Sequence, residues 1–384
     1  MDQEQKKYYL ALTAINGLGR IGIQSLLNTF VSPQQVFSAA SETLYSVPGI
    51  GKTIAAKICS WDGWKELEEE LVYYQREGIS LLTLGDALYP FPLAQIYDPP
   101  LLLFIKGSLL PQEKCLAVVG SRVASTYGMF VTERLCRELA WHGITIVSGM
   151  ARGIDTAAHR GALAGKGRTI AVMGNGMNII YPPENSSLSE EIINHGALVT
   201  EYRRGISPHR KHFPCRNRII SGLSMGVVVV EAGERSGSLI TARLALEQGR
   251  EVFAVPGMVD SPGSRGTHKL LKDGARLVET VHDILDEILP LLEDKHAASS
   301  VPQYPVNPST AEEKQKISST EGDCCDFTKE EAYLLALLRS SPREIDELIT
   351  LSSMSCKAIQ PILTMLEIKG HIQKMPGMKY MLKE

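Results

Sequence analysis

Six short apolar segments recur through the middle of the chain, and helix-length segments separate most of them. The apolar segments span residues 116–120, 144–148, 169–173, 197–200, 227–231 and 252–255. Segments that are apolar throughout are typical of strands buried on both faces, and their alternation with helices is typical of a parallel sheet. The sequence therefore predicts an α/β domain over residues 79–292, with an edge strand at 101–105.

A repeated glycine pattern marks the segment before the predicted sheet. Asn16-Gly17-Leu18-Gly19 recurs as Pro48-Gly49-Ile50-Gly51, and a helical apolar pattern follows each copy. Glycines permit tight turns, and a helix that begins at such a turn directs free N–H groups towards an anion such as phosphate. We predict a helical, helix-hairpin-helix (SAM-like) domain over residues 1–78. A phosphate contact and a purely structural packing role both fit this pattern.

Two further segments follow the predicted sheet. Residues 293–326 contain prolines and small polar residues that interrupt any periodicity, which predicts a flexible linker. Residues 327–384 predict a winged-helix-like domain, with helices at 327–339, 342–351 and 357–369 and a β-hairpin of 371–375 and 378–382. Its third helix begins with a single basic residue, Lys357, so a protein contact or a structural role fits better than duplex binding.

Charge and composition exclude several classes of protein. The 384 residues carry a net charge of −3, so nucleic-acid binding would have to come from a local basic patch. The apolar stretches are too short for a membrane helix, and the first residues lack an apolar signal core. Seven scattered cysteines show no metal-ligand spacing. We expect a cytoplasmic protein with reduced thiols, no metal and no membrane association.

The segments that follow the predicted strands are rich in Gly, Ser and Arg. Because ligands bind at the carboxyl ends of strands in an open parallel sheet, we expect four loops to converge on one rim: Gly120-Ser121-Arg122, Gly149-Met150-Ala151-Arg152-Gly153, Gly174-Asn175-Gly176 and Ser236-Gly237-Ser238 with Thr241. Small residues let a ligand approach the backbone, where N–H groups and arginines bind phosphate. These loops contain neither GxGxxG nor GxxxxGK[ST], so we expect no dinucleotide cofactor and no ATP hydrolysis.

The strongest local charge feature is the segment 202–230, which contains no Asp or Glu. Its basic residues and histidines are Arg203, Arg204, His209, Arg210, Lys211, His212, Arg216 and Arg218. A strip of one sign would follow a sugar-phosphate backbone, and the alternative is a solvated basic loop. Tyr202 and Phe213 offer stacking surfaces for bases, although a buried Phe213 fits the pattern equally well.

Candidate catalytic groups are few. His159 follows Asp155 by four residues, a spacing typical of a contact on one helix. Ser236 and Ser238 have no neighbouring base in the sequence, and Glu231 ends a predicted strand singly. We therefore predict a binding protein and not an enzyme. The alternative is a nucleotide-binding protein or nucleoside-phosphate hydrolase that uses the same rim, with Glu231 as acid or base.

Residues 115–280 resemble the DNA-processing protein A (DprA, also called Smf) family. The matching motifs are Gly120-Ser121-Arg122, Ser148-Gly149-Met150-Ala151-Arg152-Gly153-Ile154-Asp155, Tyr181-Pro182 with Asn185, Phe213-Pro214-Cys215-Arg216-Asn217-Arg218, Ser236-Gly237-Ser238-Leu239-Ile240-Thr241 and Val255-Pro256-Gly257. The resemblance implies an extended Rossmann fold, a homodimer, no required catalysis and single-stranded DNA at the glycine-rich rim. It also implies protection of incoming DNA and loading of the RecA recombinase during natural transformation and homologous recombination.

The resemblance also implies roles for individual residues. Arg122 matches the arginine of the family's GSR loop, Lys166 stands where the family has a DNA-contacting lysine, and Arg216 and Arg218 match the FPxRNR segment. Asn178, Thr200 and His268 depart from the family pattern, which usually has aspartate, serine and asparagine there. The predicted DNA-binding residues are Gly120, Ser121, Arg122, Gly149, Arg152, Gly153, Lys166, Gly174, Asn175, Gly176, Arg216, Asn217, Arg218, Ser236, Gly237, Ser238 and Thr241.

Overall fold

The computed structural model describes residues 3–110 and 112–288, and in the tail residues 334, 343–344, 359, 362–363, 366, 372–375 and 379–382. The chain divides into two compact units, Met1–Pro302 and Gln303–Glu384. The predicted linker, 293–326, lies outside the described residues. In the described ranges, no helix has both the length and the hydropathy that crossing a membrane requires.

Six helices form the first part of the larger unit, which confirms the predicted helical character of this region. They are α1 Gln3–Ala14, α2 Arg20–Thr29, α3 Pro33–Ser38, α4 Ser41–Tyr45, α5 Lys52–Cys59 and α6 Trp64–Arg76. The two glycine hairpins join α1 to α2 and α4 to α5. Gly17 and Gly49 adopt φ angles of +93° and +84°, which L side chains rarely adopt. Leu26, Leu44 and Ile58 bury the apolar faces of these helices in one core.

A nine-stranded sheet with the order β1-β2-β6-β5-β4-β3-β7-β8-β9 follows. The strands are β1 Ile79–Thr83, β2 Leu102–Gly107, β3 Cys115–Val119, β4 Thr145–Ser148, β5 Thr169–Val172, β6 Gly196–Thr200, β7 Gly226–Val229, β8 Glu251–Ala254 and β9 Arg276–Leu277. All pairings from β6 to β9 are parallel, while β2 pairs antiparallel with both β1 and β6. The predicted six strands are confirmed. The segment 101–105 is a strand but not an edge strand, because β1 lies outside it.

Helices cover both faces of the sheet, as apolar strands require. The remaining helices of this unit are α7 Phe91–Ala94, α8 Thr126–Trp141, α9 Ile154–Ala164, α10 Ser186–His195, α11 His212–Leu223, α12 Ser238–Glu247, α13 Arg265–Lys272 and α14 His282–Ile288. Residues of α7, α11 and α12 share one core with alternate strand residues such as Val172. Residues of α8, α9 and α14 pack on the other face against residues such as Ile146, and α10 packs there beside α1 and α6.

The direction in which the chain crosses the sheet reverses at β3. The chain runs from β3 outward through β4, β5 and β6, then returns to place β7 on the other side of β3. Loops after β3 and β7 therefore diverge to opposite faces and leave a crevice between them at the carboxyl edge. The fold itself places a binding crevice at this switch point.

The smaller unit contains a three-stranded sheet of β10 Arg343–Glu344, β11 Ile372–Met375 and β12 Lys379–Leu382, in the order β10-β12-β11. β11 and β12 confirm the predicted hairpin. The prediction of a helix starting at residue 342 is wrong at Arg343 and Glu344, which pair antiparallel with β12. Within the predicted third helix, residues 359, 362–363 and 366 are helical. Most residues of the three predicted helices lie outside the described part.

A cluster of four charged side chains joins the helical region to the sheet. Arg218 on α11 contacts Glu201 at 2.6 Å and Asp98 at 3.2 Å, and Arg20 on α2 contacts Asp98 at 2.8 Å. Burial lowers the pKa of Arg218, but Glu201 and Asp98 outweigh it, so the net pKa lies above the ordinary value. Arg218 is 6% exposed. Its charge is therefore compensated inside the fold, and the structure does not present Arg218 at the surface, where the predicted DNA contact would need it.

Removal of this guanidinium should strongly destabilise the protein. In Arg218→Met, Glu201 and Asp98 keep only Arg20 as a shared cationic partner, at 3.7 and 2.8 Å, and the loss should cost about 3 kcal/mol in the free energy of unfolding. Arg243→Met, which breaks an exposed pair with Glu247, should change that energy by less than about 1 kcal/mol. Urea denaturation measures both variants. An equal loss in the free energy of unfolding for the two variants would show that the buried cluster stabilises the protein no more than an exposed ion pair does.

The rim glycines pack against the protein's own atoms. A Cβ at Gly120 would overlap with Ile154, one at Gly149 with the Arg216 guanidinium, and one at Gly153 with the carbonyl oxygen of Ser121. A Cβ at Gly174 would overlap with the ring of Phe213, and one at Gly176 would overlap with the carbonyl oxygen of Arg203. Close packing within the protein therefore accounts for the absence of a side chain at these five positions. Gly237 alone of the predicted glycines has open space around it.

Alanine substitution at two of these glycines should destabilise the protein where the Cβ position is occupied and not where it is open. Gly153 has a φ angle of +74°, and its Cβ position is occupied by the Ser121 carbonyl, so Gly153→Ala should cost at least about 2 kcal/mol of stability. Gly237, with a φ angle of −63° and no neighbour, should tolerate alanine within about 0.5 kcal/mol. Thermal and chemical denaturation test this pair. A stable Gly153→Ala protein would contradict the close packing of this turn.

Candidate functional site

A cavity with a volume of about 790 Å³ lies at the switch point. We call it the groove. Loops after β3 and β7 form two of its walls, and the start of α11 forms the third. Its lining residues are Val119, Gly120, Ser121, Arg122, Val123, Ala151, Asp155, Arg210, Phe213, Pro214, Arg216, Asn217, Ile220, Gly233, Arg235, Ser236, Gly237, Ser238, Ile240 and Thr241.

Nine of the predicted DNA-binding residues line the groove. They come from three separate parts of the sequence and are Gly120, Ser121, Arg122, Arg216, Asn217, Ser236, Gly237, Ser238 and Thr241. The N–H groups at the start of α12 donate within the loop, that of Ser238 to Ser236 Oγ at 3.4 Å and that of Leu239 to the Ser236 carbonyl at 3.2 Å. The hydroxyls of Ser236 and Ser238 lie 2.7 Å apart. Hydroxyl groups of this kind are common donors to phosphate oxygens.

A smaller cavity continues the groove past Phe213, and we call it the side pocket. It is lined by Arg122, Gly149, Ala151, Arg152, Tyr181, Pro182 and Phe213. The guanidinium of Arg122 lies over the Phe213 ring at 5.1 Å from its centre, and the Tyr181 ring lies 5.8 Å from the Phe213 ring. The side pocket therefore places the predicted residues Gly149 and Arg152 next to the groove, with aromatic surface between them.

Lys166 lies far from both cavities along the sheet. It occupies the turn between α9 and β5, before the first residue of β5. That turn is at the amino edge of the parallel strands, whereas the groove lies at their carboxyl edge. The structure thus separates Lys166 from the rim, and this residue lines neither the groove nor the side pocket.

The Gly174-Asn175-Gly176 turn stabilises its own loop. Asn175 is 1% exposed and donates to the carbonyls of Gly176 and Ile179 at 3.0 and 2.6 Å. Gly174 is covered by the ring of Phe213, which therefore rests on this turn at the margin of the groove. These three residues position the aromatic ring and do not line the groove or the side pocket.

Arg216 lies beneath the groove as a buried cation. Its Nη1 donates to the carbonyls of Gly149, at 2.8 Å, and Val172. Burial lowers the pKa of Arg216 to about 10, and the nearby Asp155 opposes that shift. Asp155 accepts from the N–H groups of Gly149 and Ala151 at 3.1 and 3.3 Å. Burial raises its pKa, and Arg216 opposes that shift. Arg216 therefore joins α11 to the ends of β4 and β5.

The basic strip of residues 202–230 separates into two groups. Arg203 pairs with Glu70 of α6, Arg204 lies 3.9 Å from the centre of the Tyr73 ring, and Arg216 and Arg218 are buried. Arg210 and Lys211 remain exposed at the start of α11, and Arg210 lines the groove. The continuous strip predicted from sequence is therefore wrong. Most of its arginines hold the fold together.

The sequence analysis placed Arg210 in the basic strip and named Phe213 as a stacking surface, but it included neither of them, nor Arg235, among the DNA-binding residues. Arg210 and Arg235 are exposed and line the groove with Arg122, and Phe213 is partly exposed in its wall. Among the described residues, none of these three arginines has a carboxylate at ion-pair distance. One sequence signal could have identified Arg235, because this arginine lies in the loop after β7, directly before the predicted site residue Ser236.

The candidate catalytic groups Glu231 and His159 form hydrogen bonds within the protein. Glu231 accepts from the backbone N–H of Ser125 at 2.9 Å and so stabilises the start of α8. His159 is fully buried and lies 2.7 Å from Thr169 Oγ1, not against Asp155. Burial lowers the pKa of His159 to about 3, so it is neutral at pH 7. In the described ranges no cluster of His, Cys, Asp and Glu could hold a metal ion.

Family models match three successive parts of the chain. The model for DNA recombination-mediator protein A matches residues 80–289, and a DprA winged helix domain matches residues 311–378. A SAM-like helix-hairpin-helix tandem matches residues 9–60. These matches confirm the predicted fold class in all three parts, including the tail.

Similar proteins and structures agree with the family models. The chain is 44% identical to DNA processing protein DprA of Bacillus subtilis over 227 residues, 59% of this chain and 76% of that protein. It is 32% identical to protein Smf of Synechocystis over 99% of each chain. The structure of DprA from Streptococcus pneumoniae superposes with a TM-score of 0.66 at 38% identity, over 73% of this chain and 97% of that chain.

A second related structure is DNA processing protein A from Helicobacter pylori, described for its mode of single-stranded DNA binding. It superposes with a TM-score of 0.50 at 32% identity, over 56% of this chain and 96% of that chain. The family model spans more than half of the chain, and the resemblance inferred from the motifs is confirmed. The chain therefore belongs to the DNA recombination-mediator protein A (DprA/Smf) family.

Proposed function

We propose that this protein binds single-stranded DNA in the groove and processes DNA during uptake and homologous recombination. The observation that carries the proposal is the set of three exposed arginines, Arg122, Arg210 and Arg235, around one cavity next to Phe213. Charges without internal partners are available to phosphates, and an aromatic ring gives bases of any sequence a stacking surface. The Helicobacter pylori relative, described as a single-stranded DNA binder, supports the same ligand.

The finer role follows the family resemblance. We propose that the protein protects incoming single strands and transfers them to the RecA recombinase during natural transformation, acting in the cytoplasm as a homodimer. We also propose that the groove needs no catalysis. Glu231 caps a helix and His159 is enclosed, so the hydrolase alternative lacks a free acid or base among the groups considered for it. The groove's arginines suit binding of a polyanion without chemistry.

Charge reversal at Arg122 should weaken DNA binding, while the same reversal at Lys166 should not. Arg122→Glu removes one charge-assisted contact and adds repulsion, so the Kd for a labelled oligothymidine should rise about tenfold or more. Lys166→Glu changes net charge equally at the opposite edge of the sheet. Fluorescence anisotropy gives both values, and each phosphate contact should contribute about −0.7 to the slope of log affinity against log salt.

Two results would contradict this groove assignment. Equal weakening by both reversals would mean that only net charge matters. A wild-type affinity that does not change with salt would exclude binding through phosphates. Duplex DNA of the same length provides the comparison, because a groove that reads stacked single bases should prefer the unpaired strand.

Transfer to RecA can be measured separately from DNA binding. With single strands already coated by a single-strand-binding protein, the wild type should shorten the lag before RecA filaments form. Arg122→Glu should leave the lag unchanged, because it cannot hold the strand. Filament assembly is followed with labelled RecA. A wild type that binds DNA tightly but leaves the lag unchanged would refute recombinase loading while preserving the DNA-binding proposal.

A further inference from the structure

The exposed arginines of the groove and the side pocket differ in their partners. Arg122, Arg210 and Arg235 have no carboxylate at ion-pair distance among the described residues, whereas Arg152 pairs with Glu184. Arg152 shares the side pocket with Arg122 and Phe213. One predicted DNA-binding cation is therefore already neutralised by the protein.

One carboxylate oxygen forms the ion pair with one edge of the guanidinium. Oε1 of Glu184 accepts from Arg152 Nη2 at 2.6 Å and from Nε at 3.2 Å. The hydrogen bond from Arg152 lowers the pKa of Glu184, and the hydrogen bond to Glu184 raises the pKa of Arg152. Both side chains are more than half exposed, at 56% and 60%. A DNA phosphate could therefore reach the same guanidinium edge.

Glu184 is held in this position by its neighbours. It lies in a short 3-10 helix, Pro183–Asn185. Asn185 is 4% exposed and donates to Met150 O at 3.0 Å and to Thr156 Oγ1 at 2.9 Å. Met150 and Thr156 flank the turn that carries Arg152. These hydrogen bonds fix the backbone of Glu184 beside Arg152. The pair therefore differs from a chance contact between two long side chains whose backbones are not held together.

We propose that Glu184 competes with DNA phosphates for Arg152 and thereby sets the affinity of the groove for single-stranded DNA. The inference rests on the proposed function and deepens it. A phosphate that binds Arg152 must first displace the carboxylate, so one ion pair replaces another and the net gain is small. The three unpaired arginines carry most of the attraction, which favours a polynucleotide that contacts several of them at once over a mononucleotide that contacts one.

Neutralisation of Glu184 tests this competition in the full-length chain. Glu184→Gln should lower the Kd for labelled oligothymidine about two- to tenfold at moderate salt, and the salt slope should steepen by about 0.7 because one more phosphate is neutralised. Glu247→Gln is the matched control, since it makes the same charge change in an exposed ion pair with Arg243. It should leave the Kd close to the wild-type value.

A double substitution identifies the partner through which Glu184 acts. In an Arg152→Gln background, Glu184→Gln should give no further gain in affinity. A gain of equal size in that background, or an equal gain in Glu247→Gln, would overturn the competition. Wild-type protein without affinity for single strands would refute the proposed function and this inference together. Wild-type binding with no gain in Glu184→Gln would refute the inference alone.

Discussion

The buried guanidinium of Arg216 is the contact on which the candidate site depends. It ties α11, which carries Phe213 and Asn217, to the carboxyl ends of β4 and β5 through the carbonyls of Gly149 and Val172. A charge that is 3% exposed is stable only with partners, and the Asp155 carboxylate and these carbonyls provide them. Arg216 therefore acts on any groove ligand through the position of α11 more than through its own charge.

Arginines that are buried or paired inside the fold explain why segment 202–230 carries less positive charge at the surface than its sequence indicates. Segment 202–230 shows a run of cations, yet Glu70 compensates Arg203, and Glu201 and Asp98 compensate Arg218. Two of these partners lie far away in the sequence, Glu70 at 133 residues from Arg203 and Asp98 at 120 residues from Arg218. A local pattern contains no information about such pairs. The arginines left for a ligand were recognisable only once the fold had assigned partners to the others.

The elements that sequence predicted well are those whose signal is local. Buried parallel strands are apolar throughout, so the sequence located all six central strands. The order of these strands in the structure then defines the switch point. β9 has only two residues, both exposed, and gives no such signal. Lys166 entered the predicted DNA-binding set by resemblance, which does not report which edge of the sheet a turn occupies. The role of the glycines has a similar limit. The sequence shows that a side chain is absent but not whether a ligand or the protein's own atoms occupy the space.

The net charge of −3 also limits how a polyanion can bind. At a distance the protein does not attract DNA, but screening confines each charge to about 10 Å at 0.1 M salt. Within that range a strand bound as proposed in the groove would experience Arg122, Arg210 and Arg235 and not the average charge of the molecule. Binding of this kind would be short-ranged and arise from contact with the groove, which would let an acidic protein hold single strands without collecting duplex DNA over its whole surface.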